Sequence, residues 1–249
     1  MSYQLRLFFT ALCFFTRLPF IRWAGSSENE LNHAVRYFPL VGIIVGLFAA
    51  TSFWISALVL PQNLAVLLSM TCTLLVTGAF HEDGLADSVD GLGGGWSQEQ
   101  ILNIMKDSRI GSYGAVALVM ILMGKFQALT AINSALIPTA LIAGHAISRL
   151  AAVWVIASQD YVRETGKAKP LAQQITRSEL LIANIFGLAP LALLPINYSA
   201  TLILVIIVWL GFSRKLAQQL GGYTGDCLGA MQQLCEVAFY LGLVICSSI

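Results

Sequence analysis

The chain of 249 residues is 57% hydrophobic and only 11% charged, with a formal net charge of +1. A soluble domain carries roughly 25% charged residues, so this chain cannot cover a folded surface in water, and the bilayer is its expected solvent. The near-neutral balance excludes a basic nucleic-acid face, and the hydrophobicity excludes a disordered chain.

The first apolar run, 7–16, is bracketed by Arg6 and Arg17 and followed by Pro19. It is too short to span and has no small-residue cleavage site after it. It reads as an interfacial helix rather than a removed signal peptide, with a re-entrant pass as the alternative. A bilayer core of about 30 Å takes roughly 20 apolar residues per helix. Passes are expected at 38–60, ended by Pro61, and at 64–80, stopping at His81. Two more fit within 112–157, turning at Asn133-Ser134. Then come 180–196 and 199–213, separated by Asn197-Tyr198, and a last pass at 228–249. The expected fold is all-α: a polytopic bundle of about seven transmembrane helices plus the interfacial helix, one membrane-embedded domain over 1–249. The five cysteines (Cys13, Cys72, Cys227, Cys235, Cys246) show no CxxC spacing, so they read as small buried hydrophobes, not a zinc site or a disulfide framework.

Charge placement orients the bundle. If the N-terminal segment defines one side, the connections at 1–37, 81–111, 158–179 and 214–227 share it. They hold twelve of the 14 Lys and Arg and twelve of the 13 acids, and the opposite side holds neither. By the positive-inside rule the charged side is cytoplasmic. The room for chemistry is there, in motif loops at 81–114 and 214–227.

The strongest chemical signal is HEDGLADSVDG at 81–91. On a helix Asp83, Asp87 and Asp90 fall at about 0°, 40° and −20°, one stripe. Stacked like charges destabilise a helix unless something positive sits among them. A hard divalent cation such as Mg2+, which prefers carboxylates and shares itself with phosphates, is the economical partner. A plain solvated acidic face is the bland alternative. Gly84 and Ala86 thin the helix where a ligand could approach. His81 and Glu82 point away, at about 160° and −100°. Gly91 and the run Gly93-Gly94-Gly95 are expected to end that helix, and Ser97-Gln98-Glu99-Gln100 resembles a capping box opening another. The new helix is expected to carry Lys106 and Arg109 on one face, a cationic pair suited to phosphate oxygens. Lipid headgroups or Asp107 are their simpler partners. Before the last span, GGYTGD at 221–226 offers Gly222, Thr224, Gly225 and Asp226: close backbone approach, free N–H groups at a helix start and one acid at the same membrane face.

Together with FFTRLPF at 14–20, MKDSRIGSYG at 105–114 and GGYTGDCLGA at 221–230, the segment HEDGLADSVDG resembles the signatures of the cobalamin synthase family, the membrane-bound adenosylcobinamide-GDP ribazoletransferases. Length, span count and motif order agree over essentially the whole chain. The family's second motif position is variable, so Glu82 is not promoted to a ligand. The resemblance implies an enzyme of the inner membrane, active at its cytoplasmic face, that joins alpha-ribazole or its 5′-phosphate to adenosylcobinamide-GDP and releases GMP. For such a phosphotransfer the residues divide into a metal stripe (Asp83, Asp87, Asp90) with Asp226 as a further acid, phosphate grips (Lys106, Arg109), and the loop Gly222, Thr224, Gly225 for substrate. Asp90, at the loop end of the stripe, is the expected acceptor of the ribazole hydroxyl's proton. A homo-oligomer is left open. The stripe also resembles that of the CDP-alcohol phosphotransferases, but their Asp-Gly-x-x-Ala-Arg element is missing, since Asp87 follows Ala86.

Lys125, Arg149 and Glu236 fall inside spans, and intramembrane charges commonly mark transport paths. A small transporter is therefore the reading from another class, although no internal repeat is visible. Arg149 and Glu236 each lie about 12 Å deep. They are expected to pair, or jointly to line the floor of the cytoplasmic site, with His145, one turn from Arg149, joining them.

Overall fold

Backbone groups in hydrocarbon have no water to bond, so an apolar chain satisfies them internally as helices. The computed structural model describes residues 2–25, 27–163 and 175–248. Among those residues there is no strand, only an isolated bridge between Tyr161 and Tyr223. The helices are α1 (Tyr3–Phe15), α2 (Glu28–Ala34), α3 (Phe38–Ala57), α4 (Gln62–Thr77), α5 (Phe80–Gly94), α6 (Gln98–Ile104), α7 (Ser112–Ala131), α8 (Ile137–Ser158), α9 (Arg177–Leu188), α10 (Thr201–Leu220) and α11 (Gly225–Ser247). Lys167 and Lys169, counted above in the loop charge, lie outside the described residues.

Among the described residues five helical stretches are long and apolar enough to cross a membrane: Glu28–Ala57, Ser112–Ala131, Ser134–Ser158, Ile196–Leu220 and Gly225–Ser247. α4 and α5 supply a sixth if they are taken as one span bent by 86°. The expected count of seven is not reached, because 180–196 does not form one long helix. α9 has 12 residues and gives way to a 3-10 turn, Ala189–Leu193, that contains Pro190, with Pro195 following. Proline removes the helical N–H donor and clashes with the preceding turn. α1, with 13 residues, is about 20 Å long and too short to cross. It buries Leu7, Ala11, Leu12 and Phe15 against the bundle.

α8 and α11 form the centre, buried along most of their length, while α7 and α10 turn Met120, Val116, Ile203 and Ile207 outward as a lipid-facing surface. α3 approaches α8 through Gly42 and Gly46. A Cβ at Gly42 would stand 2.2 Å from the His145 carbonyl oxygen, and one at Gly46 2.6 Å from the Ile142 Cα. Small residues spaced by four admit this backbone-to-backbone contact in lipid, where dispersion rather than water release holds helices together. Cys227 and Cys235 are buried free thiols, and the other three cysteines are also unpaired.

The intramembrane charges meet, but not in the expected pairing. Glu236 Oε1 lies 3.1 Å from Lys125 Nζ, and its Oε2 lies 3.4 Å from His145 Nδ1. Gln232 and Tyr240 also donate to the Glu236 carboxylate, at 2.5 and 3.3 Å. Arg149 instead donates to the His145 carbonyl oxygen at 3.0 Å. Arg149 shares α8 with His145, so its side chain folds back one turn onto its own helix. Lys125 arrives from α7 and takes the carboxylate. His145 joins Glu236, as expected.

Candidate active site

α4 stops at Gly78 and α5 starts after Ala79, both in the left-handed region at φ 68° and 57°. A left-handed alanine costs about 1–2 kcal/mol, and the two together turn the chain by 86°. The turned α5 then lies on α11. A Cβ at Gly84 would be 2.9 Å from the Asp226 carbonyl oxygen, and one at Gly229 3.1 Å from the His81 carbonyl oxygen. The thin side of α5 therefore faces α11 rather than a ligand. The same contact brings Asp226, from the far end of the sequence, beside the aspartate stripe.

The stripe divides by environment. Asp83 is exposed and Asp87 half-buried, and among the described residues neither side chain makes a hydrogen bond. Asp87 is repelled by Asp226, Asp83 and Asp90 and attracted by Arg163. Asp90 is buried, and both its oxygens are engaged: Oδ2 accepts from Gly111 N–H at 2.7 Å, and Oδ1 from Gly114 N–H at 2.8 Å. It caps the start of α7. A Cβ at Gly111 or Gly114 would come within 2.3 or 2.4 Å of that carboxylate, which is why glycines flank it. Asp90→Asn leaves one acceptor oxygen for two buried N–H groups and is expected to cost about 1–3 kcal/mol. A fall in Tm with a matching loss of folded yield checks it.

Asp226 sits in the first turn of α11, where N–H groups and the helix dipole favour negative charge. Its Oδ2 lies 2.7 Å from Arg163 Nη2, and Thr224 Oγ1 lies 3.4 Å away. Thr224 is the fully buried N-cap, accepting from Cys227 N–H, and Gly225 is the first helical residue. Arg163 was not among the sequence candidates. It reaches the site because 160–163 docks on the glycine loop: Tyr223 N–H donates to the Asp160 carbonyl at 2.9 Å, and Val162 N–H to that of Tyr223 at 3.0 Å. Gly222 makes this possible, since a Cβ there would stand 2.1 Å from the Asp160 carbonyl oxygen. The close approach read from the glycines is to the chain's own backbone. Gly222→Ala is expected to cost about 1–3 kcal/mol, as overpacking does, and to lower turnover further by displacing Arg163. Activity that stays normal per folded molecule would disprove that link.

Lys106 and Arg109 are not on a helix face, which corrects the expected arrangement. α6 ends at Ile104, and a turn follows in which Asp107 accepts from Arg109 N–H at 3.1 Å. The Arg109 guanidinium folds onto Asp107 at 2.7 Å and holds that carboxyl below the usual carboxylate range, chiefly by hydrogen bonding. Both cations are exposed. Arg109 lines an open cleft with Asp90, Asn103, Gly111 and Tyr113. Glu82 accepts from Gln233 at 2.9 Å and faces α11, off the stripe. Ser97 caps α6 through Gln100 N–H, but Gln100 returns its bond to Trp96 N–H rather than to Ser97.

Among the described residues no three His, Cys, Asp or Glu side chains converge to cage a metal ion unaided. The donor set nonetheless suits Mg2+, which is usually bound through one or two carboxylates with substrate phosphates completing the shell. Asp83 and Asp87 carry free carboxylates for such a role.

The fold is that of a polytopic helical bundle, with carboxylates, a half-buried arginine and a helix N-terminus gathered at one end. A sequence model described as cobalamin-5-phosphate synthase matches residues 7–244, and the chain belongs to that family. Adenosylcobinamide-GDP ribazoletransferase from Shewanella frigidimarina is 49% identical, covering 96% of this chain and 94% of its own. Those from Shewanella halifaxensis and Shewanella oneidensis are 48% and 45% identical, covering 97% and 99% of this chain and 96% of their own. No solved structure matches.

Proposed function

We propose that this chain joins alpha-ribazole, or its 5′-phosphate, to adenosylcobinamide-GDP and releases GMP, at the cytoplasmic face of the inner membrane. The observation that carries the reading is the meeting of Asp83, Asp87 and Asp226 with Arg163 where the first turns of α5 and α11 touch. The relatives' names supply the substrates. In the reaction the ribazole hydroxyl oxygen bonds to the corrinoid-linked phosphorus, the P–O–P bond breaks, and GMP leaves with the electron pair. Phosphoryl transfer needs positioning and charge stabilisation more than covalent chemistry from protein.

Asp83 and Asp87 would hold Mg2+ against the diphosphate, with Asp226 as a further acid beside them. That ion would neutralise charge on the phosphoryl oxygens. Arg163 can leave Asp226 for a phosphate oxygen as charge develops, and the N–H groups of the α11 first turn face the same region. Gly222, Thr224 and Gly225 hold that turn in place. A carboxylate oxygen of Asp83 or Asp87 that is not on the ion can receive the hydroxyl proton. Asp90, with both oxygens engaged, suits positioning of the 105–114 loop better than ligation or base catalysis. Lys106 and Arg109 would meet the GDP end of the substrate at the open cleft.

GMP release from adenosylcobinamide-GDP by the purified protein, with and without Mg2+ and with each ribazole form, tests the proposal. Absence of release under all conditions rejects it. Lys106→Ala and Arg109→Ala are expected to raise KM for the GDP-bearing substrate about threefold to tenfold, as exposed contacts of about 1 kcal/mol do, and to spare that for ribazole. Arg163→Ala is expected to lower kcat instead. A ribazole-only effect of the first pair would refute their placement. The transporter reading predicts flux in proteoliposomes without GMP release.

A further inference from the structure

His81 and Glu82, the two residues before Asp83, project about 100° apart around α5. Side chains fixed at that angle stop a helix from rolling about its axis. Glu82 is fixed on Gln233 of α11, at 2.9 Å. His81 is 4% exposed, and its ring lies flat on Phe15 at 5.5 Å and 13°. Stacking sets the plane of a ring but gives its nitrogens no partner. The Nε2 of His81 is buried, and among the described residues no group bonds it.

On that side of α5 lies a small cavity where α5, α8 and α11 meet. His81, Arg149, Gln232 and Gly229 line it, and Phe15 and Phe38 close its apolar side. A water-sized sphere fits over about 20 Å³ of it, and one water takes roughly 10–15 Å³ on that measure. Arg149, 2% exposed, brings a second buried group without a partner, its Nε–H. The far end of that guanidinium is held, with Nη1 donating to the His145 carbonyl at 3.0 Å. Gln232 Oε1 accepts one bond, from Gln233 Nε2 at 2.8 Å, and an amide oxygen has two lone pairs. A guanidinium only donates and an amide oxygen only accepts, and water answers both. A buried water takes two to four polar partners, and these three residues supply them.

We infer that one ordered water binds in this cavity, accepting from Arg149 Nε–H, donating to Gln232 Oε1 and bonding His81 Nε2, and that the bridge makes His81 a positioning residue for the acidic site. The water ties α5 to α8, while Glu82 ties it to α11. Held at both points, α5 keeps Asp83 and Asp87 turned toward the open side. The cavity lies along the same seam where Gly229 meets the His81 carbonyl and Asp226 comes beside the stripe. A roll of α5 would therefore move Asp83 and Asp87 relative to Asp226 and Arg163. Only the effect on turnover rests on the transfer proposed above; the water site stands without it.

Three substitutions at His81 test the inference. Glutamine carries a polar atom to where Nε2 lies, asparagine reaches only the Nδ1 position, and phenylalanine keeps the stacked ring without either nitrogen. Hydrogen exchange of the α5 amides in detergent is measured beside kcat for GMP release. His81→Phe and His81→Asn are expected to raise exchange over 82–90 about tenfold, which corresponds to about 1.4 kcal/mol of local opening. They should lower kcat by about the same factor and leave both KM values within about twofold. His81→Gln is expected to stay within about twofold of the parent in both measurements. Arg149→Lys keeps the charge and puts a methylene in place of Nε–H. Its effect and that of His81→Phe should be less than additive, since both act through one water. If His81→Phe does not fold, the contrast between glutamine and asparagine decides alone. Equal behaviour of those two variants overturns the inference, as do strictly additive effects of the pair. A change in KM for one substrate alone also overturns it, because the ring would then touch that substrate. Exchange is read without turnover. The expected exchange pattern without GMP release would reject the transfer and keep the water, and GMP release with level exchange in all three variants would do the reverse.

Discussion

Asp87→Asn is expected to lower GMP release about 10³-fold or more while Tm stays level or rises. Removing one anionic ligand from a metal-diphosphate clamp takes away several kcal/mol of transition-state charge stabilisation, and a factor of 10³ corresponds to about 4 kcal/mol. The folded state loses only the attraction of Arg163 in exchange. Asp87 makes no side-chain hydrogen bond among the described residues, and it is repelled by Asp226, Asp83 and Asp90. Neutralising it relieves that repulsion, the trade commonly seen where activity requires like charges held together. Asp83→Asn is expected to behave in the same way. Asp90→Asn should differ, losing stability first, because its carboxylate caps α7. Thermal denaturation of the three variants beside their GMP release rates separates the roles. Near-normal turnover in Asp87→Asn would sink the phosphate-site reading.

The second large effect lies in the membrane interior. Lys125→Met and Glu236→Gln are each expected to cost about 3–5 kcal/mol, because removing one partner of a buried ion pair strands the other. Glu236→Gln strands the buried Lys125 without its carboxylate. Lys125→Met leaves Glu236 with His145, Gln232 and Tyr240. The double variant should recover a large part of the loss, since two neutral side chains of similar volume need no counter-charge. Folded yield and Tm in detergent close this double-mutant cycle. Strictly additive losses would show that the two side chains do not interact. The cycle of Arg149→Met with Glu236→Gln should show a smaller coupling, because Arg149 rests on the His145 carbonyl.

Much of this arrangement was readable one residue at a time. Helical class, a bilayer as solvent and the clustering of charge on one side follow from composition and from where the apolar runs stop. Asp83, Asp87 and Asp90 share a helix face because periodicity is a local property. Gly222 was singled out as a point of close approach, and only its partner was misjudged. The seventh pass failed because Pro190 and Pro195 interrupt an apolar run that hydropathy alone counts as continuous.

What the sequence by itself determined, then, is everything set by neighbours along the chain: most of the helices, the aspartate stripe and the glycine-rich approach to the start of α11. The tertiary structure decided the rest. It turned α5 by 86° onto α11 through two left-handed residues. It engaged Asp90 with backbone N–H groups 21 and 24 residues away, and brought Arg163 to Asp226 across 63 residues of chain. It also matched Glu236 with Lys125 instead of Arg149. The physical reason is that side chains far apart in sequence compete for the same buried carboxylate. The winner is set by which helices pack together, and no local pattern carries that information.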